Sequence, residues 1–353
     1  PTGLLETLLS CLRTPLLLSF VIKIGDLMTA RQSYLTKITF SLIFLLAGIL
    51  FLVGSASAVP RDDAQNQDEP YRVENFDIST PGKLDVRTSG GHITVEGSSR
   101  SGVRVEMYVK KNGRNLLPED IDLDKWEIDI SQSGSSVIAE AKRRGNSGWN
   151  IFGKNNNVSI SFTVYTPRDM STDLNTSGGH IKSRGLSGNQ QISTSGGHLE
   201  LANLKGTIEA RTSGGHIDIA DIEGDIDART SGGHIDVQNS EGALRVRTSG
   251  GHIDLANVNG TIEAATSGGG ISADIVSVGE FVDLRTSGGN VEISVPSNLG
   301  LNLNLRGSYV STNLQNFSGE VERNKVSGQL NGGGAKVSAR TSGGTVSLSF
   351  KQQ

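Results

Sequence analysis

Cysteine is almost missing from this chain: its one thiol is Cys11 among 353 residues. Everything beyond that position folds without a disulfide and without thiol chemistry, so packing and backbone hydrogen bonds must hold it together. Aromatic residues make up 5% of the chain, too few for a core built on large rings. Basic charge is in deficit as well, with 33 Lys and Arg against 37 Asp and Glu, which argues against nucleic acid or an anionic membrane surface as the main partner. No long helical period appears anywhere. What the chain does have is glycine, 45 residues of it, set between short alternating apolar runs. That composition reads as an all-β chain with many tight turns.

The one long apolar run lies near the start. Met28 opens a segment ordered like a secretory leader, with Arg31 and Lys37 ahead of the apolar stretch Ile38 to Val53, then Ala56-Ser57-Ala58 as a small-residue cleavage site. Cleavage after Ala58 is expected, leaving no membrane insertion; the alternative is an uncleaved anchor, for which the apolar stretch is just short of a comfortable span. Residues 1–27 are read as upstream in-frame sequence outside the native protein. Residues 1–58 carry four basic residues (Arg13, Lys23, Arg31, Lys37) and two acidic ones (Glu6, Asp26), so 29 basic and 35 acidic residues remain, a net charge of −6.

Residues 59–70 are polar and acidic, as a flexible tether would be. Residues 71–175 hold short alternating runs, among them Lys83–Arg87, Ile93–Glu96, Val103–Lys110 and Val158–Tyr165, and both tryptophans, Trp126 and Trp149. This segment is expected to be β-rich and to cap the first edge of a stack of repeats beyond it.

From residue 176 a unit repeats. Thr-Ser-Gly-Gly precedes every histidine of the chain: His92, His180, His198, His216, His234 and His252, the last five spaced by 18 residues. A fixed short period means one structural unit stacked on itself. One coil runs Thr212-Ser-Gly-Gly-His-Ile-Asp-Ile-Ala-Asp-Ile-Glu-Gly-Asp-Ile-Asp-Ala-Arg229. Apolar residues alternate with polar ones twice in it, predicting two half-buried strands per coil in a parallel β-solenoid. The expected inward columns are Ile181, Leu199, Ile217, Ile235, Ile253 and Ile271; Leu201, Ile219, Val237 and Leu255; and, on the other strand, Ile208, Ile226, Leu244 and Ile262 followed by Ala210, Ala228, Val246 and Ala264.

Two turns close each coil. Ser-Gly-Gly, with glycines at 178, 179, 196, 197, 214, 215, 232, 233, 250 and 251, is expected to supply positive φ. The opposite turn, as in Asn203-Leu-Lys-Gly206 and Asp221-Ile-Glu-Gly224, uses Asn or Asp to bond the turn backbone and a final Gly for the strained dihedrals. After Gly289 the period loosens, and residues 176–353 are expected to continue as solenoid with a loop inserted near 313–325.

The serial Thr-Ser-Gly-Gly-x-Ile units, the Val291–Pro296 strand, the Gly332–Gly334 turn and the closing Thr341–Phe350 strand resemble a bacterial putative-adhesin family of unknown function with β-strand repeats. The resemblance covers most of residues 71–353. It implies a β-solenoid architecture and carries over no catalytic residues.

Three chemistries compete for the polar residues of the repeat. The outward row His180, His198, His216, His234 and His252, beside Lys182, Glu200, Asp218, Asp236 and Asp254, has metal-ligand residue types. A flat row offers no enclosed tetrahedral site, however, and duplication alone explains the repetition, so a solvated ladder is expected. A calcium β-roll needs Gly-Gly-x-Gly-x-Asp; Gly214-Gly-His-Ile-Asp218 lacks the third glycine. Asp225, Asp227 and Glu263 resemble a polysaccharide-cleaving acid cluster, but Arg211, Arg229 and Arg247 run beside them as pairing partners. The expectation is therefore a non-enzymatic protein without cofactor, exported to the periplasm, cell surface or medium. It would bind or scaffold a glycan, cell-wall polymer or envelope protein through flat polar faces. The alternatives are a periplasmic envelope-stress or signalling accessory protein, and a polysaccharide-active enzyme.

Overall fold

The computed structural model describes residues 69–144 and 158–351. The upstream segment 1–27, the leader 28–58, all but two residues of the tether 59–70, and Trp149 with its surrounding loop lie outside the described residues. No helix among the described residues is long and apolar enough to cross a membrane.

The chain is an all-β parallel solenoid. Its strands in order are β1 (Arg72–Phe76), β2 (Gly82–Thr88), β3 (Ile93–Ser98), β4 (Val103–Lys111), β5 (Arg114–Leu116), β6 (Trp126–Ser133), β7 (Ser136–Arg143), β8 (Val158–Pro167), β9 (Met170–Thr176), β10 (Ile181–Arg184) and β11 (Ser187–Thr194). The central coils come next as β12 (Leu199–Arg211), β13 (Ile217–Arg229), β14 (Ile235–Arg247), β15 (Ile253–Ala265) and β16 (Ile271–Thr286). The remainder are β17 (Val291–Pro296), β18 (Leu301–Arg306), β19 (Tyr309–Thr312), β20 (Phe317–Val321), β21 (Lys325–Leu330), β22 (Ala335–Thr341) and β23 (Thr345–Lys351).

From β12 to β15 each coil pairs in parallel with the next, residue on equivalent residue, so Ile217 faces Leu199 on one side and Ile235 on the other, and the longer β16 joins β15 through register shifts on the third side. The expected inward columns are all buried. Burying one such isoleucine or leucine is worth about 2 kcal/mol, and here every coil repeats it. The stretch read from sequence as the second turn is a short third side of the coil. Asp221 bends the strand at φ 58° and Gly224 bends it again at 142°, while Ile222 between them is buried. Leu204, Ser240 and Val258 fill the same position in neighbouring coils. The two expected strands therefore join into one 13-residue strand with two corners.

The Ser-Gly-Gly turn differs from expectation in its cause. None of Gly178, Gly179, Gly196, Gly197, Gly214, Gly215, Gly232, Gly233, Gly250 and Gly251 is among the residues with left-handed φ. The second glycine of each pair is required by close approach instead: a Cβ on Gly215 would stand 1.8 Å from the Gly197 carbonyl oxygen. The first is roomy, since a Cβ on Gly214 would meet nothing nearer than the Ser195 oxygen at 3.9 Å.

Strand order departs from chain order at both ends. The layer β2–β3 lies between β9–β10 on one side and β7 with β8 on the other, all in parallel pairing. Antiparallel β6 on β7 and β4 on β8 follow, and β1 and β5 pair antiparallel with β4 beyond them. At the other end β22 and β23 pair with β16 and β17, and β18 and β19 lie beyond them. The last two strands of the chain thus slot inside the stack, ahead of strands that precede them in sequence. The loop expected near 313–325 contains β20, paired antiparallel with β21 in a hairpin laid on β18.

Candidate functional site: the histidine seam and the polar faces

The Thr-Ser-Gly-Gly-His corner is built by two repeating bonds. The buried Thr212 hydroxyl donates to the Gly197 carbonyl of the previous coil (2.9 Å) and accepts from the Gly215 N–H of its own turn (3.2 Å). Thr176, Thr194, Thr230, Thr248, Thr286 and Thr341 repeat both bonds, and Thr266 repeats the donated one. This clamp satisfies a donor and an acceptor that the tight corner would otherwise orphan.

The histidines make the second bond. The backbone N–H of His198 donates to Nδ1 of His180 (2.9 Å), His216 to His198 (2.8 Å), His234 to His216 (2.9 Å) and His252 to His234 (3.0 Å). His92 joins at one end, accepting from the His180 N–H (3.0 Å), and the Gly270 N–H closes the other end on His252 (3.0 Å). Ring centroids lie 4.8 Å apart through the middle of the row, with planes within 7° of parallel from His180 to His234. The sequence shows His92 carrying the same motif, but 88 residues separate it from His180. Only the layering of β2–β3 against β9–β10 reveals it as the sixth rung.

This geometry fixes the chemistry of the row. A neutral imidazole whose Nδ1 accepts a hydrogen bond carries its proton on Nε2. A metal on Nε2 would need that proton moved to Nδ1, against a backbone N–H. Each Nδ1 is thus engaged in the corner, and among the described residues no three His, Cys, Asp or Glu side chains are grouped so that they could hold a metal ion.

Two residues beyond each histidine the outward column runs Lys182, Glu200, Asp218, Asp236, Asp254. Burial pushes Glu200 up, but its ion pairs with Arg184 and with Lys182 (3.3 Å) outweigh this and hold it below the usual range. Asp236 is raised, first by partial burial and then by Asp254 and Asp218. On the opposite side of the coil the candidate acids are engaged. Asp227 pairs with Arg229 (2.8 Å), Glu263 with Arg247 and with Arg245 (3.0 Å), and Asp225 accepts the Ala243 N–H (3.1 Å). Two of the three carboxylates are thus ion-paired with arginines of their own or the neighbouring coil, and the third accepts a backbone N–H.

The third side bears an open groove of about 940 Å³ whose floor includes Asn203, Asp221, Asn239 and Asn257. Each of these four holds a left-handed φ, between 52° and 58°, a conformation Asn and Asp tolerate better than other side chains. Asn257 Nδ2 donates to Asn239 Oδ1 (2.7 Å), and Asn239 Nδ2 to Asp221 Oδ1 (2.9 Å). Lys205 and Glu223 pair at 2.7 Å beside them.

Solved structures of similar arrangement include a putative cell adhesion protein from Clostridium sporogenes ATCC 15579, 13% identical, covering 80% of this chain and 100% of that one at a TM-score of 0.22. A putative adhesin from Bacteroides fragilis NCTC 9343 is 12% identical, with 79% and 96% covered and a TM-score of 0.35. One from Parabacteroides merdae ATCC 43184 is also 12% identical, with 78% and 95% covered and a TM-score of 0.27. No curated protein gives a match. The family model described as Toastrack DUF4097 matches residues 64–349, the whole stack with both of its ends, and the chain belongs to that family.

Proposed function

We propose that this chain is a non-enzymatic, adhesin-like binding protein of the cell envelope, exported by the leader at residues 28–58, and that it holds a glycan or cell-wall polymer in the groove along its third side. The observation that carries this reading is the Asn/Asp ladder. Asn257 and Asn239 each spend one amide N–H on the residue beneath, and Asn239 and Asp221 each accept once, so both exposed amides keep a second N–H and further lone pairs at one-coil intervals. Paired donors and acceptors of that kind suit sugar hydroxyls. An open groove running across several coils admits a polymer, whereas small molecules favour enclosed apolar pockets. Paired charges on the neighbouring sides and the acidic balance speak against a polyanion.

The test is a pull-down on insoluble cell-wall polymer and a glycan panel, comparing the parent with Asn239→Ala/Asn257→Ala. Retention of the parent and a loss of about tenfold or more in the double variant is the expected result, one to two hydrogen bonds' worth of affinity. Equal retention of both proteins, or capture of an envelope protein in place of polymer, sinks the glycan reading.

A further inference from the structure

The seam has a property that the binding reading does not use. Six imidazoles accept six backbone N–H groups, each bond crossing from one coil to the next. The lone pair that accepts is the one to which a proton would add, because Nε2 already carries hydrogen. A proton arriving at Nδ1 turns acceptor into donor, sets two N–H groups head to head and puts a cation 4.8 Å from the next ring in the middle of the row. We propose that the histidine row is an acid-sensitive fastener, joining the Thr-Ser-Gly-Gly corners of successive coils while its imidazoles are neutral and releasing them when they are protonated.

The charges facing the row are graded along it. Lys110 of β4 and Lys182 of β10 stand near the His92 and His180 end and repel an imidazolium. Glu200, Asp218, Asp236 and Asp254 flank the remaining rungs and attract one, and past Asp254 the column continues with neutral Ser272 and then Glu292. The turns themselves contribute only Thr, Ser and Gly. His92 is held below the ordinary histidine value by desolvation, then by His180 and Lys110. The carboxylates soften repulsion between charged rings, but they cannot restore the lost acceptor.

The chain supplies its own control. At the position equivalent to histidine in a later corner stands Asn290, whose Oδ1 accepts the Thr345 N–H at 3.0 Å. Asparagine therefore makes the same bond and cannot be protonated. At the other end Ser161 Oγ takes the N–H of His92 (3.0 Å).

The experiment compares the parent chain with His198→Asn/His216→Asn/His234→Asn. Melting is followed from about pH 8 to about pH 5, the range in which histidine titrates. The parent's melting temperature should fall with acid, and the triple variant, similar to the parent at the upper pH, should fall clearly less. Imidazole nitrogen resonances at the upper pH should report the Nε2–H tautomer. Should the triple variant fail to fold, His216→Asn alone is compared by hydrogen exchange at the His234 amide. Its protection relative to the intrinsic rate should drop about tenfold or more in the parent on acidification, the equivalent of one lost bond, and hold in the variant. Equal acid sensitivity of parent and variant, or an Nδ1–H tautomer, overturns the proposal. Neither readout depends on glycan binding, so this inference and the groove reading fail separately.

Discussion

A single methyl group separates the two glycines of each corner. Gly215 passes so close to the coil beneath that its Cβ would overlap the Gly197 carbonyl at 1.8 Å, with the His198 nitrogen at 2.9 Å. Gly214 has open space and no left-handed φ. Gly215→Ala should therefore destabilise by about 1–3 kcal/mol, as backbone shifts spread through neighbouring coils. Gly214→Ala should be neutral or stabilising by up to about 1 kcal/mol, because alanine has less freedom to lose. Parallel chemical denaturation of the two variants measures this, and similar losses in both would contradict it. That both positions are glycine was plain in the sequence, as was the corner they form. The reason for the second was not legible there, because Ser-Gly-Gly is equally the signature of positive φ and of close approach. Distances between coils decide which.

At the level of the strand, the aligned register turns every sequence column into a spatial one, and this is why so much of the stack is legible from the repeat alone. The inward columns are visible as alternation, and they are buried as expected. The third side is hidden, because Leu204, Ile222, Ser240 and Val258 each sit alone between Asn or Asp and a polar residue, a pattern that also describes a turn. The same alignment stacks Asp218, Asp236 and Asp254 as like charges. Asp236 is raised by burial and then by its two neighbours, so the folded state takes up its proton more readily than the unfolded chain does. Its contribution to stability is accordingly present at low pH and lost as the pH rises through the folded value. Asp236→Asn should then stabilise the protein at neutral pH by about 0.5 kcal/mol or less, given solvent screening, and by nothing in acid. Unfolding curves at the two pH values test the sign. A neutral-pH loss of stability would mean that the carboxylate has a favourable role outweighing the repulsion.

For the whole molecule, the solenoid class was legible and the layering of its ends was not. The motif at Thr88–His92 is the same as that at Thr176–His180, and nothing local says that the two stack directly across the intervening chain. Likewise β22 and β23 carry the alternation of any coil, yet they lie between β16–β17 and β18–β19. In a stack stabilised by nearest neighbours, damage stays near where it is done. Deleting residues 345–351 should therefore abolish hydrogen-exchange protection in β19 and weaken it in β17, while β13 and β14 keep theirs. Uniform loss of protection across the stack would show that the solenoid melts as one unit.

The placement of β22 and β23 also sets a schedule for assembly. Coils β12 to β16 can add one upon another in the order they leave the ribosome, each finding its template already formed. β17 follows β16 in space as it does in time, but the second part of β16 pairs with β22, which is made only after β18 to β21. β18 and β19 are synthesised before the pair that separates them from β16 and β17, so they must wait at a distance, or dock wrongly and be displaced. Arrival of residues 335–351 then closes the gap from within, like a keystone, and the slow step of folding should be that insertion rather than growth of the regular stack.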